Sequence, residues 1–441
     1  MKIAYITAGA AGMFCGSCMK DNTLVATLQR LGHDALLIPT YTPITTDEES
    51  VAESHIYMGG VNVYLQQKSW IFRHTPRFLD RLLDFPRLLR WVSRFASRTK
   101  YEDLGDLTIS MLLGRHGKQD KEIERLVYHI TREFQPDAIV LTNVLLSGVV
   151  PALRKQTNVP IVATLQGDDI FLEALHAKDR ERAIELIGTN CADLSGLIAT
   201  SQSYATAMAS YLRLPAEKMI VVAPGISLKS YENIAAPSPR EEPVIGCLAR
   251  ICPEKGFDRL IDAFIQLHQL PDAKPCQLRV SGWLGDNQRE YFARTCARLR
   301  EHGLESQFHY VDTPTLKAKI AFLQDLDLFV LPAVYHEPKG IPVLEALACG
   351  VPVVVPDHGA FPELVEQTHG GWVVAGNQVG DFAQTMHRVL QNPAHCREVG
   401  QTGRRNVFQY YSAEVMAQRT VDYLTHLAAQ VPAPQHVTTG A

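Results

Sequence analysis

Short apolar runs alternate with longer segments of helical periodicity along most of this chain of 441 residues. The runs are rich in β-branched and aromatic residues and are bounded by glycine and proline, which predicts buried strands. We predict strands at 2–7, 35–40, 61–65, 138–142, 161–165, 196–200 and 219–223, and then at 244–249, 278–282, 308–311, 328–331, 351–355 and 372–374. Strands that are apolar throughout and alternate with helices predict parallel sheets covered by helices on both faces.

The predicted strands fall into two sets that are separated by a linker. The segment 226–243 is rich in proline and contains the charged run Arg240, Glu241 and Glu242, a composition typical of linkers. The sequence therefore predicts an α/β protein with two Rossmann-like, doubly wound domains. We place an N-terminal domain at 1–225, a C-terminal domain at 244–408, a C-terminal helix that crosses back to the first domain at 409–428, and a flexible tail at 429–441.

Composition and charge exclude several classes of protein. Hydrophobic residues make up 46% of the chain and charged residues 20%, so sizeable cores can form. The net charge of -4 argues against a general nucleic-acid binder, which would show a basic excess. The most apolar uncharged stretch, 138–153, is too short and too polar for a membrane span. Sparse cysteines and a poor secretory signal lead us to expect a cytoplasmic protein.

The segment 336–350 combines a glycine loop with the start of a helix. It follows a predicted strand, Pro342 lies close to the first helical position, and Gly350 ends the helix. The free amides and the positive dipole end of such a helix suit a diphosphate group. The donor-binding residues predicted on this ground are Gly340, Ile341, Pro342, Val343 and Glu345.

Two carboxylates, Glu337 and Glu345, flank this helix start. They are unusual near a phosphate unless the ligand also offers neutral hydroxyl groups, which carboxylates accept. A nucleotide sugar offers both a diphosphate and vicinal hydroxyls. The alternative is that both glutamates are solvated residues favoured by the helix dipole.

Positive charge is supplied by Arg250 and Lys255, which follow the predicted strand 244–249. Ligands of open α/β sheets bind outside the carboxyl ends of the strands, where both residues are expected. Arginine can bind a phosphate with two N–H groups, and lysine acts as a compact charge. Each residue alone could merely solvate a loop; the pair favours a phosphate site.

Together these residues resemble the retaining glycosyltransferases of family 4. The likeness covers about 244–374 and rests on Arg250 and Lys255 separated by four residues and on Glu337 and Glu345 separated by seven. The flanking segments at 327–332, 352–354 and 359–365 match as well. The first half matches more loosely, through Gly16 and the pattern at 24–33, and 60–72 is similar to bacterial glycogen synthases.

The resemblance implies a GT-B fold, in which two Rossmann-like domains face each other across a cleft. The donor would bind in the C-terminal domain and the acceptor mostly in the N-terminal one. Arg250, Lys255 and the helix start would stabilise the leaving diphosphate, and Glu337 would orient the donor sugar. Gly16 would let the N-terminal loop approach the ligand without a side chain in the way.

No metal is required if two cations and the helix dipole already stabilise the diphosphate, and the resemblance implies that no protein nucleophile is needed. The acceptor hydroxyl would attack on the face that the nucleotide leaves, which keeps the anomeric configuration. Asp325 and Asp327 do form the Asp-X-Asp pattern of metal-dependent transferases, but they lead directly into a strand and the family pattern accounts for Asp327. We interpret this pattern as a coincidence.

The first half departs from the family at several positions. Gln166 stands where the family often has a histidine lining the donor sugar, 224–227 reads Pro-Gly-Ile-Ser in place of Asn-Gly-Ile-Asp, and Cys15 replaces a glycine. The Lys-Thr-Gly-Gly loop typical of glycogen synthases is absent, which argues against an ADP-glucose donor. The candidate sugar or acceptor contacts in this half are Gln166, Asp169 and Asn143.

Two further signals allow more than one interpretation. Cys15 and Cys18 have the C-x-x-C spacing of a redox or metal pair, although reduced loop thiols are the simpler interpretation. The basic and aromatic segment 70–100 could contact anionic lipid or could pack its aromatic residues into the first domain. Pro76 and Pro86 interrupt any long helix there, which favours packing.

The sequence thus predicts a retaining, metal-independent glycosyltransferase. The donor would be a UDP-, GDP- or ADP-sugar, no other cofactor is expected, and the acceptor would be a hydroxyl group of a glycan, a lipid-linked sugar or a small molecule. The alternatives are a glucan polymerase similar to glycogen synthase, a sugar-nucleotide epimerase of the same fold, and a non-catalytic protein that binds nucleotide sugars. Nucleic acid is not an expected partner.

Overall fold

The computed structural model describes residues 1–9, 15–60, 63, 66–67, 104–234, 240–376 and 378–430. These residues form two compact units. The first consists of Met1–Ala199, Ala205–Val222 and the chain from Met416 onward, and the second of Thr200–Tyr204 and Ala223–Val415. The predicted insertion at 70–100 and the tail from 431 lie outside the described residues.

The first unit is built on a seven-stranded parallel sheet in the order β3-β2-β1-β4-β5-β6-β7. Because β1 has β2 on one side and β4 on the other, the strand order reverses between β1 and β4. The strands are β1 (Lys2–Thr7), β2 (Asp34–Tyr41), β3 (Tyr57–Gly59), β4 (Ala138–Leu141), β5 (Ile161–Leu165), β6 (Gly196–Ala199) and β7 (Met219–Val221).

Of the predicted strand at 61–65, only Val63 belongs to the residues that the structure describes. The third strand lies at Tyr57–Gly59, and Val63 is helical. Within the described residues, β3 pairs with β2 as far as Gly59, which meets Tyr41 after a register shift. The other predicted strands each overlap an observed one.

The second unit is built on a six-stranded parallel sheet in the order β10-β9-β8-β11-β12-β13. Its buried cluster includes nearly every residue of the strands that begin at Val244, Leu328 and Val353, which explains why these strands appear in the sequence as unbroken apolar runs. The strands are β8 (Val244–Leu248), β9 (Gln277–Ser281), β10 (Phe308–Val311), β11 (Leu328–Val330), β12 (Val353–Pro356) and β13 (Gly371–Val374).

Helices connect the strands in both units, as two doubly wound domains require. No described helix is both long and apolar enough to cross a membrane. In chain order the helices are α1 (Gly16–Arg30), α2 (Gly105–Leu112), α3 (Asp120–Tyr128), α4 (Val150–Arg154), α5 (Asp168–Glu173), α6 (Ala177–Cys191), α7 (Gln202–Tyr211), α8 (Phe257–Gln269), α9 (Arg289–Glu301), α10 (Leu316–Gln324), α11 (Ile341–Ala348), α12 (Phe361–Thr368), α13 (Val379–Leu390), α14 (Pro393–Tyr410) and α15 (Ala413–Gln430).

The last helix, α15, contributes to the core of the first unit. Met416, Ala417 and Leu424 are buried in one cluster with Tyr5 of β1 and Val140 of β4. These residues are far apart along the chain, so the core of the first unit is complete only when α15 has packed against the sheet.

We expect Leu424→Ala to lower the free energy of unfolding of the first unit by about 2–5 kcal/mol, because it leaves a cavity at a fully buried site. Hydrogen exchange of β1 and β4 amides in the full chain measures this loss. Thr425→Ala is the matched control, since Thr425 is exposed on the same helix. Equal protection of β1 in both variants would contradict the packing described here.

Candidate active site

The carboxyl ends of β8 and β11 lie side by side in the second sheet. Leu328 of β11 pairs with Ile245 of β8, and the strand order reverses between these two strands. The crevice outside such a reversal is where open α/β sheets bind ligands. Two loops leave the sheet at this point: the Arg250 loop, 249–256, and the Glu337 loop, 331–340.

A glycine lets these two loops approach each other closely. Gly256 has a φ of 73°, and a Cβ atom there would lie 1.9 Å from the carbonyl oxygen of Pro332. The backbone N–H of Val334 donates to the carbonyl oxygen of Glu254 at 2.9 Å. Only a residue without a side chain permits this conformation and this contact together.

Three side chains from the two loops form a closed group, which we call the Lys255 cluster: Lys255, Tyr335 and Glu337. Nζ of Lys255 donates to Oε2 of Glu337 at 2.5 Å and to the phenol oxygen of Tyr335 at 2.6 Å. The phenol in turn donates to the same carboxylate oxygen. Glu337 is only 4% exposed, and a carboxylate buried this deeply requires charged and hydrogen-bonded partners.

The charges around Glu337 keep its carboxylate ionised. Burial by itself would raise its pKa, but the charges of Lys255 and Lys339, with hydrogen bonds from Lys255 and Tyr335, lower the pKa to about 2. Glu337 therefore accepts hydrogen bonds and does not act as an acid near neutral pH.

Arg250 lies within electrostatic reach of the Lys255 cluster. Burial and the charge of Glu337 raise the pKa of Tyr335 well above its ordinary value, and the charge of Arg250 opposes this shift. The structure thus brings Lys255 and Glu337, which the sequence singled out, into direct contact, and Arg250 lies on the same loop as Lys255.

The predicted helix start is also present beside Glu337. Gly340 has a φ of 67° and precedes α11, with Ile341 and Pro342 in its first turn. The N–H of Val343 donates to the carbonyl oxygen of Gly340 at 2.9 Å, and Pro342 has no N–H. The backbone donors that this helix start can offer a ligand are therefore those of Gly340 and Ile341.

Glu345, inside α11, is bonded to a residue that the sequence analysis did not identify. Its carboxylate accepts a hydrogen bond from Nζ of Lys319 on α10. Both side chains are more than nine-tenths buried, so each neutralises the other's charge where water cannot. The partner of Glu345 is thus Lys319, and that of Glu337 is Lys255.

Gln166, in the first unit, is bonded inside the protein. Its amide nitrogen donates to the carbonyl oxygen of Thr142 at 2.8 Å, to the Thr142 hydroxyl at 2.9 Å and to Asp21 at 3.3 Å. Asp21 also accepts from Tyr5 at 2.7 Å and from Thr7 at 3.1 Å. Gln166 therefore helps to hold the carboxyl ends of β1, β4 and β5 together.

The other candidates in the first unit lie at the same sheet edge. Gly16 is the first residue of α1, which follows β1, and Asn143 directly follows β4. Within the described residues, Oδ1 of Asn143 is buried without a hydrogen-bond partner. Asp169 is partly buried in the first turn of α5.

Asp168, next to Asp169, is a buried carboxyl group with a perturbed pKa. It accepts hydrogen bonds from the backbone N–H groups of Val144 at 2.9 Å and Gln166 at 3.0 Å. Burial nevertheless raises its pKa from 3.8 to about 6. We did not expect a role for Asp168 from the sequence.

The Asp-X-Asp pattern serves the packing of the second unit. Asp325 pairs with Arg240 and Arg279, and Asp327 accepts from the backbone N–H of Val244 at 2.9 Å. The nine cysteines, Cys15 and Cys18 among them, are thiols and not disulfides. Across the described ranges, no three His, Cys, Asp or Glu side chains are placed to hold a metal ion.

Family models match both halves of the chain. The model described as glycosyl transferase 4-like domain matches 22–225, and that described as glycosyl transferases group 1 matches 232–406. The chain belongs to glycosyltransferase family 4. The resemblance noted in the sequence is thereby confirmed.

A curated relative agrees with this membership. The GDP-mannose-dependent monoacylated alpha-(1-6)-phosphatidylinositol monomannoside mannosyltransferase of Corynebacterium glutamicum is 32% identical over 189 residues, which are 41% of this chain and 47% of that protein. The match thus spans about half the length of this curated relative.

Two solved structures share the fold over 97% of this chain and 100% of theirs. Sucrose-phosphate synthase from Thermosynechococcus elongatus superposes with a TM-score of 0.70 at 18% identity. The Anabaena protein HepE, in complex with UDP-glucose, superposes with a TM-score of 0.64 at 16% identity. The predicted GT-B class, with two Rossmann-like domains, is confirmed.

For this family 4 protein, sequence reasoning missed three residues near the site: Tyr335, Lys319 and Lys339. Tyr335 lies just before the segment 336–350 and two positions before Glu337, so its nearness to that carboxylate was a usable signal. Lys339 lies inside the same motif and is 8% exposed. Lys319 lies on another helix, and nothing in the sequence links it to Glu345.

We expect Gly256→Ala to destabilise the second unit more than Gly303→Ala does. Both glycines have a φ near 70°, but a Cβ atom at Gly303 meets nothing within 4 Å. The shared backbone strain costs roughly 1–2 kcal/mol, and the clash with Pro332 at Gly256 adds about 1–3 kcal/mol. Urea unfolding of both variants measures the difference; equal losses would show that the close approach carries no cost.

Asp168→Asn should change how the stability of the first unit depends on pH. Between about pH 4 and pH 6 the folded protein keeps a proton that the unfolded chain has lost, so wild-type stability falls as pH rises, by roughly 3 kcal/mol. The variant lacks this titrating group, so its free energy of unfolding should rise relative to that of the wild type as the pH rises. Hydrogen exchange of β4 and β5 across this range tests the prediction, with Asp106→Asn, at an exposed position of α2, as the control. Parallel profiles for wild type and Asp168→Asn would contradict it.

Proposed function

We propose that this protein is a retaining glycosyltransferase that moves a sugar from a nucleoside-diphosphate sugar to a hydroxyl acceptor. The observation that carries the proposal is the Lys255 cluster beside Arg250, at the switch point of the second sheet. The cluster supplies an ionised acceptor of hydrogen bonds, and Lys255 and Arg250 supply positive charge, as a ligand with both hydroxyl groups and phosphates requires.

Each part of the site has a role in binding the donor. Arg250 and the helix start at Gly340 and Ile341 bind the diphosphate, and Glu337 accepts hydrogen bonds from sugar hydroxyls. Lys255 and Tyr335 hold the Glu337 carboxylate in one orientation, so that it does not rearrange during the reaction. Glu345 is the candidate acceptor for a ribose hydroxyl.

The chemical step follows from the charges that develop. The bond between the anomeric carbon and the diphosphate oxygen breaks, and negative charge builds on the diphosphate beside Arg250 and the helix start. The acceptor oxygen bonds to the anomeric carbon on the face that the diphosphate leaves, and the hydroxyl proton passes to the departing diphosphate. The product keeps the donor's anomeric configuration, and no metal is required.

The names of similar proteins support a narrower choice of donor and acceptor. The Corynebacterium protein is named as GDP-mannose-dependent and as acting on a phosphatidylinositol mannoside, and HepE was solved with UDP-glucose. We therefore propose a UDP- or GDP-hexose as donor, before ADP-glucose, and a glycan or lipid-linked hydroxyl as acceptor. Asn143, Asp169 and the segment around Gly16 are candidate contacts for sugar or acceptor.

A panel of UDP-, GDP- and ADP-sugars tests the proposal. The full chain should hydrolyse one donor slowly without acceptor and retain this activity in chelator. Glu337→Gln should lower kcat/KM about 100- to 1000-fold, because it removes charge from a preorganised site. Glu366→Gln, an exposed change on α12, is the control and should react as the wild type does.

The outcomes separate the rival functions. A nucleotide sugar that binds but is never turned over would identify a non-catalytic binding protein. Conversion of the sugar without release of nucleoside diphosphate would identify an epimerase, and chain extension from ADP-glucose a glucan polymerase. A product of inverted configuration, measured by NMR of the anomeric proton, would overturn the retaining mechanism.

A further inference from the structure

Cys15 and Cys18 lie where α1 begins. Cys15 is the N-cap residue, with extended backbone angles (φ -120°, ψ 124°), and its carbonyl oxygen accepts from the N–H of Met19 at 3.0 Å. Because Gly16 is the first helical residue, Cys18 is the third. The side chains of these two positions approach each other in the capping box, where each bonds the backbone of the other residue. The two thiols therefore lie on the same side of the first turn.

The separation of the two residues suits a disulfide bond. The rise and radius of an α-helix place Cα atoms three residues apart about 5 Å from each other. Disulfide bonds join Cα atoms that are roughly 4.4–6.8 Å apart. Both residues are thiols in the structure, and a bond between their Sγ atoms can form without unwinding the start of α1.

The two thiols differ in exposure, as a dithiol that reacts by exchange requires. Cys15 is partly exposed, whereas Cys18 is only 3% exposed. A disulfide from solution can therefore reach Cys15 and not Cys18. The thiolate is the reactive form of cysteine, and the positive end of a helix dipole favours a thiolate at the N-cap position.

The other seven cysteines are in environments that suppress this reaction. Burial raises the pKa of each of these thiols to about 11 or about 12. They therefore stay protonated near neutral pH. One of them, Cys296 on α9, is partly exposed like Cys15, so it offers a matched comparison within the same chain.

We infer that Cys15 and Cys18 form a redox-active dithiol whose substrate is the disulfide of a low-molecular-weight thiol. The Cys15 thiolate attacks this disulfide, forms a mixed disulfide and releases one small thiol. Cys18 then attacks the Cys15 sulfur and releases the second small thiol, so the two protons of the dithiol pass to the two departing thiols. The protein is oxidised by two electrons, and the small disulfide is reduced. Gly16, a candidate contact for sugar or acceptor, lies inside the ring that closes.

Oxidised glutathione, added to the reduced full chain at neutral pH, tests this inference by peptide mapping. The wild type should gain one disulfide, between Cys15 and Cys18, which an excess of reduced glutathione should reopen. Cys18→Ser should instead keep one glutathione on Cys15, because no second thiol releases it. Cys296→Ser is the control and should form the same disulfide as the wild type. Iodoacetamide should alkylate Cys15 of the reduced wild type at least about tenfold faster than Cys296.

The outcomes that would overturn the inference are all observed in the wild type, so they do not depend on the folding of a variant. They are a chain in which every cysteine remains a thiol, a disulfide that joins any other pair, and a glutathione that stays on Cys15 without ring closure. The last result would identify a single modifiable thiol. Because the measurement reads the thiols and not sugar transfer, none of these results bears on the proposed function.

Discussion

The pairing of β11 with β8 is the constraint on which the candidate site depends. These strands are far apart in sequence, and their parallel pairing places the Arg250 loop beside the Glu337 loop. Gly246 permits this pairing, because a Cβ atom there would lie 2.2 Å from the side chain of Leu326. A shift of one residue would turn buried strand residues towards the opposite face and separate Lys255 from Glu337.

The Lys255 cluster shows how the site tolerates a buried carboxylate. Burial opposes the charge of Glu337, yet two lysines and a phenol more than compensate, so the group stays charged over the whole physiological range. Glu345, inside α11, is likewise paired with a buried lysine, Lys319. The partners of each pair come from segments far apart in sequence, so tertiary contacts fix the orientation of both carboxylates.

The sequence predicted the two-sheet architecture because buried parallel strands are apolar at every position and stand out from their surroundings. It also predicted Arg250, Lys255 and Glu337, since their positions after strands define where they lie in such a sheet. The third strand, Tyr57–Gly59, was not predicted, because three residues that include a glycine do not form a recognisable apolar run. Gln166 and Lys319 could not be understood from the sequence, because their hydrogen bonds join residues that only tertiary structure brings together.

The last helix has a consequence for how the protein is made. The core around Tyr5 and Val140 lacks Met416, Ala417 and Leu424 until the ribosome has produced the end of α15. The nascent N-terminal strands must therefore wait through synthesis of the entire second domain with part of their apolar surface uncovered. Chaperone engagement during translation is consequently most useful to the half of this protein that emerges first.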